Sequence, residues 1–438
     1  MRTPSSRPLD REILRLAVPA LGALVAEPLF LLTDTALVGH LGEVALGGLS
    51  IASAILQTAV GLLVFLAYAT TPVVARRLGG GDRPGAIRAG IDGLWLAVAV
   101  GALLLAGGLL GGEALVLLFG APDAVSDAAT TYLLISLWGL PAMLLVLAAT
   151  GLLRGLQDTK TPLIVAGMGF LANAVLNAVF IYGFGWGIAG SAIGTVVAQW
   201  GMAAVYLVIA VRAARQTGST LRPGLSGVSG AAASGLWLLL RTLSLRIALL
   251  ATVVVATRQG VTELATMQIA LTLFSTLAFA LDSLAIAGQA MIGHGLGASD
   301  RSRVAAITRR LITLGLLAGL GLGMLVALLA PLLGPVFTGD PAIHAALASV
   351  ALVMAVGVPL AGYVFVLDGV LIGAGDARYL AVTGIANLAV YAPLLWLAAG
   401  TGSVVWLWAS FGLGYIGARA ITLGLRARGE RWIVTGAR

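Results

Sequence analysis

The sequence predicts an all-α polytopic membrane protein: twelve transmembrane helices in two six-helix lobes related by a pseudo-two-fold axis along the membrane normal. Three observations predict it. Of 438 residues, 59% are hydrophobic and 10% charged, with a mean hydropathy of +1.03, whereas a soluble domain carries about 25% charged residues. The apolar stretches run on without a two-residue alternation, which argues against an outer-membrane barrel. The chain also matches itself at a fixed offset of 218 residues, without gaps.

A span needs about 20 apolar residues, and charges or Gly/Pro clusters mark the breaks. The polar start from Met1 to Glu12 leads directly into span one, 14–39, too long for the apolar core of a cleavable signal. Span two, 47–76, ends at Arg76-Arg77 and the Gly79-Gly80-Gly81-Asp82 turn. Span three, 89–113, runs from Arg88 to Glu113, and span four, 128–153, from Asp127 to Arg154. Span five, 161–183, follows Lys160, and span six, 187–211, ends at Arg212. The Arg/Gly/Ser/Pro stretch 212–234 reads as a linker between an N-terminal lobe, 1–211, and a C-terminal lobe, 235–438. Spans seven to twelve follow at 236–257, 264–294, 304–334, 342–371, 379–400 and 403–425. Several exceed the minimum length, which implies tilt or protrusion from the bilayer.

Arginine and lysine fix orientation. Of the 26 basic residues, all but Arg258 fall on the side of the termini and the even-numbered loops. Both termini are therefore expected in the cytoplasm and the chain in the inner membrane. In this setting the net charge of +8 and pI near 10.4 mark topology rather than a nucleic-acid partner. The repeat pairs Gly42, Ile51 and Ala52 with Gly260, Ile269 and Ala270. It also pairs Leu78, Gly79, Asp82 and Arg83 with Leu296, Gly297, Asp300 and Arg301, and Gly139 and Pro141 with Gly357 and Pro359. Gly151, Leu153, Gly155 and Asp158 pair with Gly369, Leu371, Gly373 and Asp376. Six helices per half is even, so both halves share one orientation.

An ionisable group in hydrocarbon costs about 2.5–3.5 kcal/mol even on lenient scales. Four acids stand out within spans: Glu27, Asp34, Asp282 and Asp368. Acids common to both halves, Asp82/Asp300 and Asp158/Asp376, lie beside arginines and are expected to hold loops. The four break the symmetry, Asp34 aligning with Thr252, Asp368 with Thr150 and Asp282 with Val64. Asp34 follows Pro19 and Pro28, either of which can bend a helix, and is expected to bind a proton or Na⁺. Glu27, beside Pro28, is a candidate support. Asp282 and Asp368 are expected to face a substrate cleft or to hydrogen-bond a neighbouring helix. Asn173 and Asn177 lie four apart on one face of span five, and Thr195 on span six can join them. Gly315, Gly319 and Gly323 read as a close helix contact.

Other chemistries find little support. With no cysteine, disulfides, thiolate metal sites and thiol catalysis are excluded. No G-x-x-x-x-G-K-[ST] loop precedes the only lysine, Lys160, which excludes P-loop ATP hydrolysis. Three dispersed histidines make no H-E-x-x-H motif, which argues against a zinc protease or another membrane-embedded enzyme. An ion gradient remains as the energy source.

The chain resembles the multidrug and toxic compound extrusion (MATE) transporters, and within them the DinF-like branch, over residues 10–428. The residues that carry the resemblance are Glu27-Pro28 with Asp34-Thr35-Ala36-Leu37-Val38-Gly39-His40-Leu41-Gly42, and Arg154-Gly155-Leu156-Gln157-Asp158-Thr159-Lys160-Thr161-Pro162. In the second half they are Leu281-Asp282-Ser283-Leu284-Ala285-Ile286-Ala287-Gly288-Gln289-Ala290 and Leu367-Asp368-Gly369-Val370-Leu371-Ile372-Gly373-Ala374. The resemblance implies two lobes and export of cationic or amphipathic organic compounds in exchange for H⁺ or Na⁺, by a monomer with no cofactor. It implies a coupling site of Asp34 with Thr150, Asn173, Asn177 and Thr195, and a bend in span one near Pro19. It also makes Asp34, Asp282, Asp368 and Gln289 candidates for the substrate cleft. The sequence departs where relatives carry a second aspartate on span five, since it has Asn177, and it has Thr150 in place of a span-four asparagine. One fewer negative charge weakens the case for Na⁺ and favours a proton on Asp34. A flippase for a lipid-linked precursor is the alternative, although such proteins usually display a cationic cleft.

Overall fold

The computed structural model describes residues 6–436, and side chains from Pro8 onward with the exception of Glu27, which therefore lies outside the described residues. Twelve long apolar helices follow in chain order: α1 Pro8–Gly39, α2 Glu43–Gly79, α3 Arg83–Leu117, α4 Asp123–Gly155, α5 Lys160–Gly183, α6 Gly187–Thr217, α7 Leu225–Gln259, α8 Val261–Gly297, α9 Arg301–Phe337, α10 Pro341–Gly373, α11 Ala377–Gly400 and α12 Val404–Arg428. No strand occurs among the described residues. Each expected span is found, most of them longer than expected, because the charged flanks continue the helix beyond the apolar run.

The backbone repeats as the sequence does. The left-handed turn residues Gly42 and Gly260 lie 218 apart, as do Gly81 and Ser299, and Gln157 and Gly375. Asp82 and Asp300, also paired by the repeat, cap α3 and α9 alike, each accepting a hydrogen bond from the backbone N–H three residues on, at 2.8 and 2.9 Å. Asp158 accepts from the N–H groups of Lys160 and Thr161 at 3.0 Å, and Asp376 pairs with Arg426 at 2.6 Å. The loop-holding role expected of these acids is what they perform.

The chain forms two compact units. One is Gly22–Gly235; the other joins the residues up to Leu21 with those from Leu236 onward. In the first unit the segment after α6 is tied down: Asp92 accepts from the Gly224 N–H at 2.8 Å, and the Trp95 indole N–H donates to the Leu221 carbonyl at 2.8 Å. Asp92 is a fifth acid inside a span, buried one face into α3; its role here is to anchor the start of α7. In the second unit, Asp10 and Glu12 of α1 pair with Arg310 and Arg303 of α9 at 2.5 and 2.6 Å. α1 itself is helical through Pro19 and Pro28, so the carbonyls of Arg15 and Leu24 lose their intrahelical donors without ending the helix.

Glycines set the packing of α9 on α10. A Cβ on Gly315 would stand 2.7 Å from the Gly362 carbonyl oxygen, and one on Gly319 would stand 2.7 Å from the Pro359 Cα and the Val358 oxygen. These are backbone atoms that cannot yield, as the expected close contact requires. Gly319→Leu is therefore expected to cost about 1–3 kcal/mol or more, read as a lower unfolding midpoint of the purified protein. Gly321→Leu, two residues along where a Cβ meets nothing within 4 Å, is expected to leave the midpoint unchanged or slightly raised.

Candidate functional site

The site lies within the first unit and is built where α1, α4, α5 and α6 meet. α5 and α6 come together because α6 presents Gly190 and Gly194. A Cβ on Gly190 would lie 2.7 Å from the Phe180 carbonyl carbon, and one on Gly194 would collide with the Asn177 side chain. The turn between these glycines carries Ser191, and the next residue after Gly194 is Thr195. Both hydroxyls thus face Asn173 and Asn177, all four being buried. Asn173 donates to the Thr195 hydroxyl at 2.9 Å, and the two asparagine amides interact at 3.4 Å.

Asp34 of α1 completes the cluster, with 1% of its surface exposed. Its Oδ1 accepts from the Asn177 amide at 2.8 Å and from the Ser191 hydroxyl. Its Oδ2 accepts from the Tyr132 phenol of α4 at 2.9 Å. All three partners are neutral; the Asn177 amide nitrogen can only donate, whereas the Tyr132 and Ser191 hydroxyls can donate or accept, so dipoles alone hold this carboxyl group. An apolar shell that includes Val38, Leu49, Ala52, Leu133, Ile181 and Ala192 encloses this side of the unit. The last turn of α5 widens into a π-turn, Val179–Gly183, and brings the Tyr182 hydroxyl to the Leu37 carbonyl at 2.5 Å, holding the end of α1.

Of the residues expected to act together, the structure gathers Asp34, Asn173, Asn177 and Thr195. Thr150 stands apart, its hydroxyl donating to Tyr206 at 3.4 Å. Tyr132 and Ser191 were not anticipated and are direct partners of Asp34. A signal for them existed: at the 218-residue offset they face Val350 and Ala409, so they break the symmetry as Asp34 does. The matching place in the second unit is a Thr252–Tyr391 hydroxyl pair at 2.6 Å.

The second-half candidates have other surroundings. Asp368 is buried and ion-paired with Arg241, whose Nε is 3.2 Å from Oδ1, and with Arg419, 3.2 Å from Oδ2. Arg241 sits inside α7. Gln289 is buried on α8 with its side-chain oxygen lacking a hydrogen-bond partner among the described residues, and Asp282 on the same helix is half-buried.

A hydrogen bond to a buried charged group is worth about 1.5–3 kcal/mol. Tyr132→Phe is expected to lower stability by that amount at neutral pH. In an Asp34→Asn background most of the loss should vanish, because the charge it served is gone. Thermal unfolding of the four proteins in the cycle measures this coupling.

Comparison with known proteins bears on what such a cluster does. The MatE family model matches residues 19–179 and again 239–397, two copies within two residues of the spacing of the internal repeat. The chain is 30% identical to Protein DETOXIFICATION 45, chloroplastic, of Arabidopsis thaliana over 449 residues, spanning 94% of this chain and 78% of that protein. It is 29% identical to DNA damage-inducible protein F of Escherichia coli over 317 residues, 68% of this chain and 66% of that one. Its fold matches the Vibrio cholerae MATE transporter VcmN in the bent form with a TM-score of 0.89, at 21% identity and covering 98% of this chain and 99% of the other.

Proposed function

Because the chain belongs to the MatE family of multidrug efflux transporters, we propose that it exports cationic or amphipathic organic compounds in exchange for protons, with Asp34 as the group that carries the proton. The observation that carries this reading is a buried carboxylate whose hydrogen-bond partners are the neutral side chains of Tyr132, Asn177 and Ser191, with no arginine, lysine or histidine paired to it among the described residues.

A carboxylate held only by dipoles in a low-dielectric interior has an unbalanced charge, and it can be balanced by a proton or by a bound cation. In the ionised state Oδ1 accepts two hydrogen bonds and Oδ2 accepts one. A proton on Oδ1 displaces one of its two donors, and a proton on Oδ2 makes that oxygen a donor that needs an acceptor. The Tyr132 and Ser191 hydroxyls can rotate to accept instead, whereas the Asn177 amide group cannot accept through its nitrogen. Protonation therefore rearranges contacts on α4, α5 or α6 and loosens or tightens their hold on α1. A cationic substrate favours the ionised state and a proton disfavours it, so the two exclude one another. This mutual exclusion is the basis of exchange. With the termini in the cytoplasm, as the distribution of basic residues favours, the proton enters as the substrate leaves.

Na⁺ is the rival for the same carboxylate, and hard cations prefer several oxygen ligands. Asn177, an amide, supplies no second charge. The deciding experiment drives dye efflux from proteoliposomes under a pH gradient alone and under a Na⁺ gradient alone. Efflux is expected under the first and not the second; efflux under Na⁺ alone would overturn proton coupling.

A further inference from the structure

The first unit has a cavity between the start of α3 and the last turns of α6. An even number of spans precedes each of these points, which puts the cavity on the side of the N-terminus. Its volume is about 280 Å³, and Arg83, Ala213, Gln216 and Thr217 line it; one water needs only about 10–15 Å³. The walls are tied together by the turn that follows α6. Gly218 takes a left-handed conformation, with φ at 69°. The chain then returns to α3, where the Ser219 hydroxyl donates to the Pro84 carbonyl at 3.0 Å and Arg88 donates to the Thr220 carbonyl at 3.2 Å. Arg83 and Gln216 are exposed, as is Arg212, one turn before Gln216 on the same helix edge. Among the described residues no acid pairs with Arg83 or Arg212. Asp82, next to Arg83 in the chain, turns its carboxylate to the Gly85 N–H at 2.8 Å as the cap of α3.

The repeat supplies a second observation. At the 218-residue offset Arg83 corresponds to Arg301 and Arg212 to Glu430. In the second unit Arg301 and Glu430 form an ion pair at 3.9 Å; in the first, both positions are arginine. The second unit fills this corner with its own tail, since α12 ends at Arg428 and the Gly436 N–H donates to the Leu296 carbonyl at 3.0 Å. In the first unit α6 stays helical to Thr217 and leaves the cavity open. Toward the middle of the span, the edge of α6 that carries Arg212 and Gln216 continues through the half-buried Ile209 to Val205, which is 44% exposed. Val205 lies seven residues before Arg212 and eleven before Gln216, about two and three helical turns. Cationic and polar groups thus stand directly above an apolar strip, in the order of a phospholipid's headgroup and chain.

We propose that this cavity binds a phosphate group, that of an anionic membrane lipid, with Arg83 and Arg212 supplying positive charge and Gln216 a neutral donor. A phosphate diester carries a negative charge and several acceptor oxygens, which the planar fork of a guanidinium matches. The strip formed by Ile209 and Val205 takes the lipid's chain, which a free phosphate lacks. With the termini in the cytoplasm, as the basic residues favour, this is the leaflet whose anionic lipids attract basic pockets between spans. An arginine that only set topology would need neither the cavity nor the apolar strip.

The test is thermal unfolding of the purified full-length protein in detergent micelles at fixed ionic strength, with phosphatidylglycerol, phosphatidylcholine or inorganic phosphate added. A ligand that binds only the folded state raises the midpoint with its concentration. Phosphatidylglycerol is expected to raise it well beyond phosphatidylcholine, and inorganic phosphate to leave it unchanged. Arg83→Gln is expected to weaken the apparent affinity for phosphatidylglycerol about fivefold or more. Arg212→Glu, which gives α6 the acid that the repeat carries, is expected to abolish the response. Arg301→Gln removes the same charge at the matching place in the second unit and is expected to leave the affinity unchanged. Equal midpoints with the two lipids would overturn the proposal. So would a loss in Arg301→Gln as large as that in Arg83→Gln, which would mark a general effect of surface charge. A response to inorganic phosphate equal to that to phosphatidylglycerol would overturn the lipid as the source of the phosphate. None of these readings involves transport or Asp34, so proton coupling stands or falls separately.

Discussion

Asp34→Asn is expected to abolish efflux driven by a pH gradient while leaving a folded, membrane-inserted protein. The amide is nearly the size of the carboxylate and keeps an oxygen that accepts from Asn177 or Ser191. It cannot take up a proton at any relevant pH. Without the carboxylate the unit has no group in the cluster whose charge changes, because Tyr132, Asn173, Asn177, Ser191 and Thr195 are all neutral. Removing an ion from a buried site can raise stability even as function is lost. The expected pattern is therefore an unfolding midpoint equal to or above that of the unaltered protein, together with efflux at the level of empty liposomes. Dye efflux and unfolding on the same preparation measure both. A variant that fails to fold would show instead that the carboxylate is an architectural group.

The second large effect is expected from Asp368→Asn and is one of stability. The carboxylate lies between the buried Arg419 and the half-buried Arg241, and breaking a buried ion pair by removing one partner costs about 3–5 kcal/mol. The loss should greatly exceed that of Asp127→Asn on the exposed face of α4, which is expected to stay within about 0.5 kcal/mol. Replacing Arg241, Asp368 and Arg419 together by apolar residues of similar volume should recover most of the loss, as buried ionic groups replaced whole often do. Unfolding midpoints of the three variants and the unaltered protein decide it. A midpoint for Asp368→Asn equal to that of the unaltered protein would show that the arginines are already compensated elsewhere.

The twelve helices and the duplication were legible in the sequence because both rest on features that do not depend on side-chain contacts. Apolar run length reflects bilayer thickness, and Asp, Arg and Pro matches at one offset survive a composition rich in Ala, Leu and Gly. Asp34 was legible for a related reason: a carboxylate in an apolar run is costly enough to stand out alone. Asn173, Asn177 and Thr195 followed from helical spacing. Tyr132 and Ser191 did not, since a tyrosine and a serine in a span are cheap and their importance comes from helices remote in sequence. Applied to every polar residue rather than to acids alone, the symmetry comparison picks them out. It also picks out Arg241 and Arg419, which charge-based topology had absorbed into the basic flanks. Asp92 went unremarked for the same reason, sitting close to the arginines at the start of its span. Thr150 belonged to the expected set only through resemblance, and its hydroxyl faces Tyr206 instead.

The central claim is that proton uptake and release by Asp34 drives export. It is tested most directly by running the exchange backwards: a substrate gradient is imposed across proteoliposomes with no pH or Na⁺ gradient, and the pH of the lumen is followed with a trapped indicator. Substrate movement is expected to drive protons in the opposite direction with the unaltered protein and to leave the lumen pH unchanged with Asp34→Asn. Substrate-driven proton movement that persists in Asp34→Asn would contradict the account.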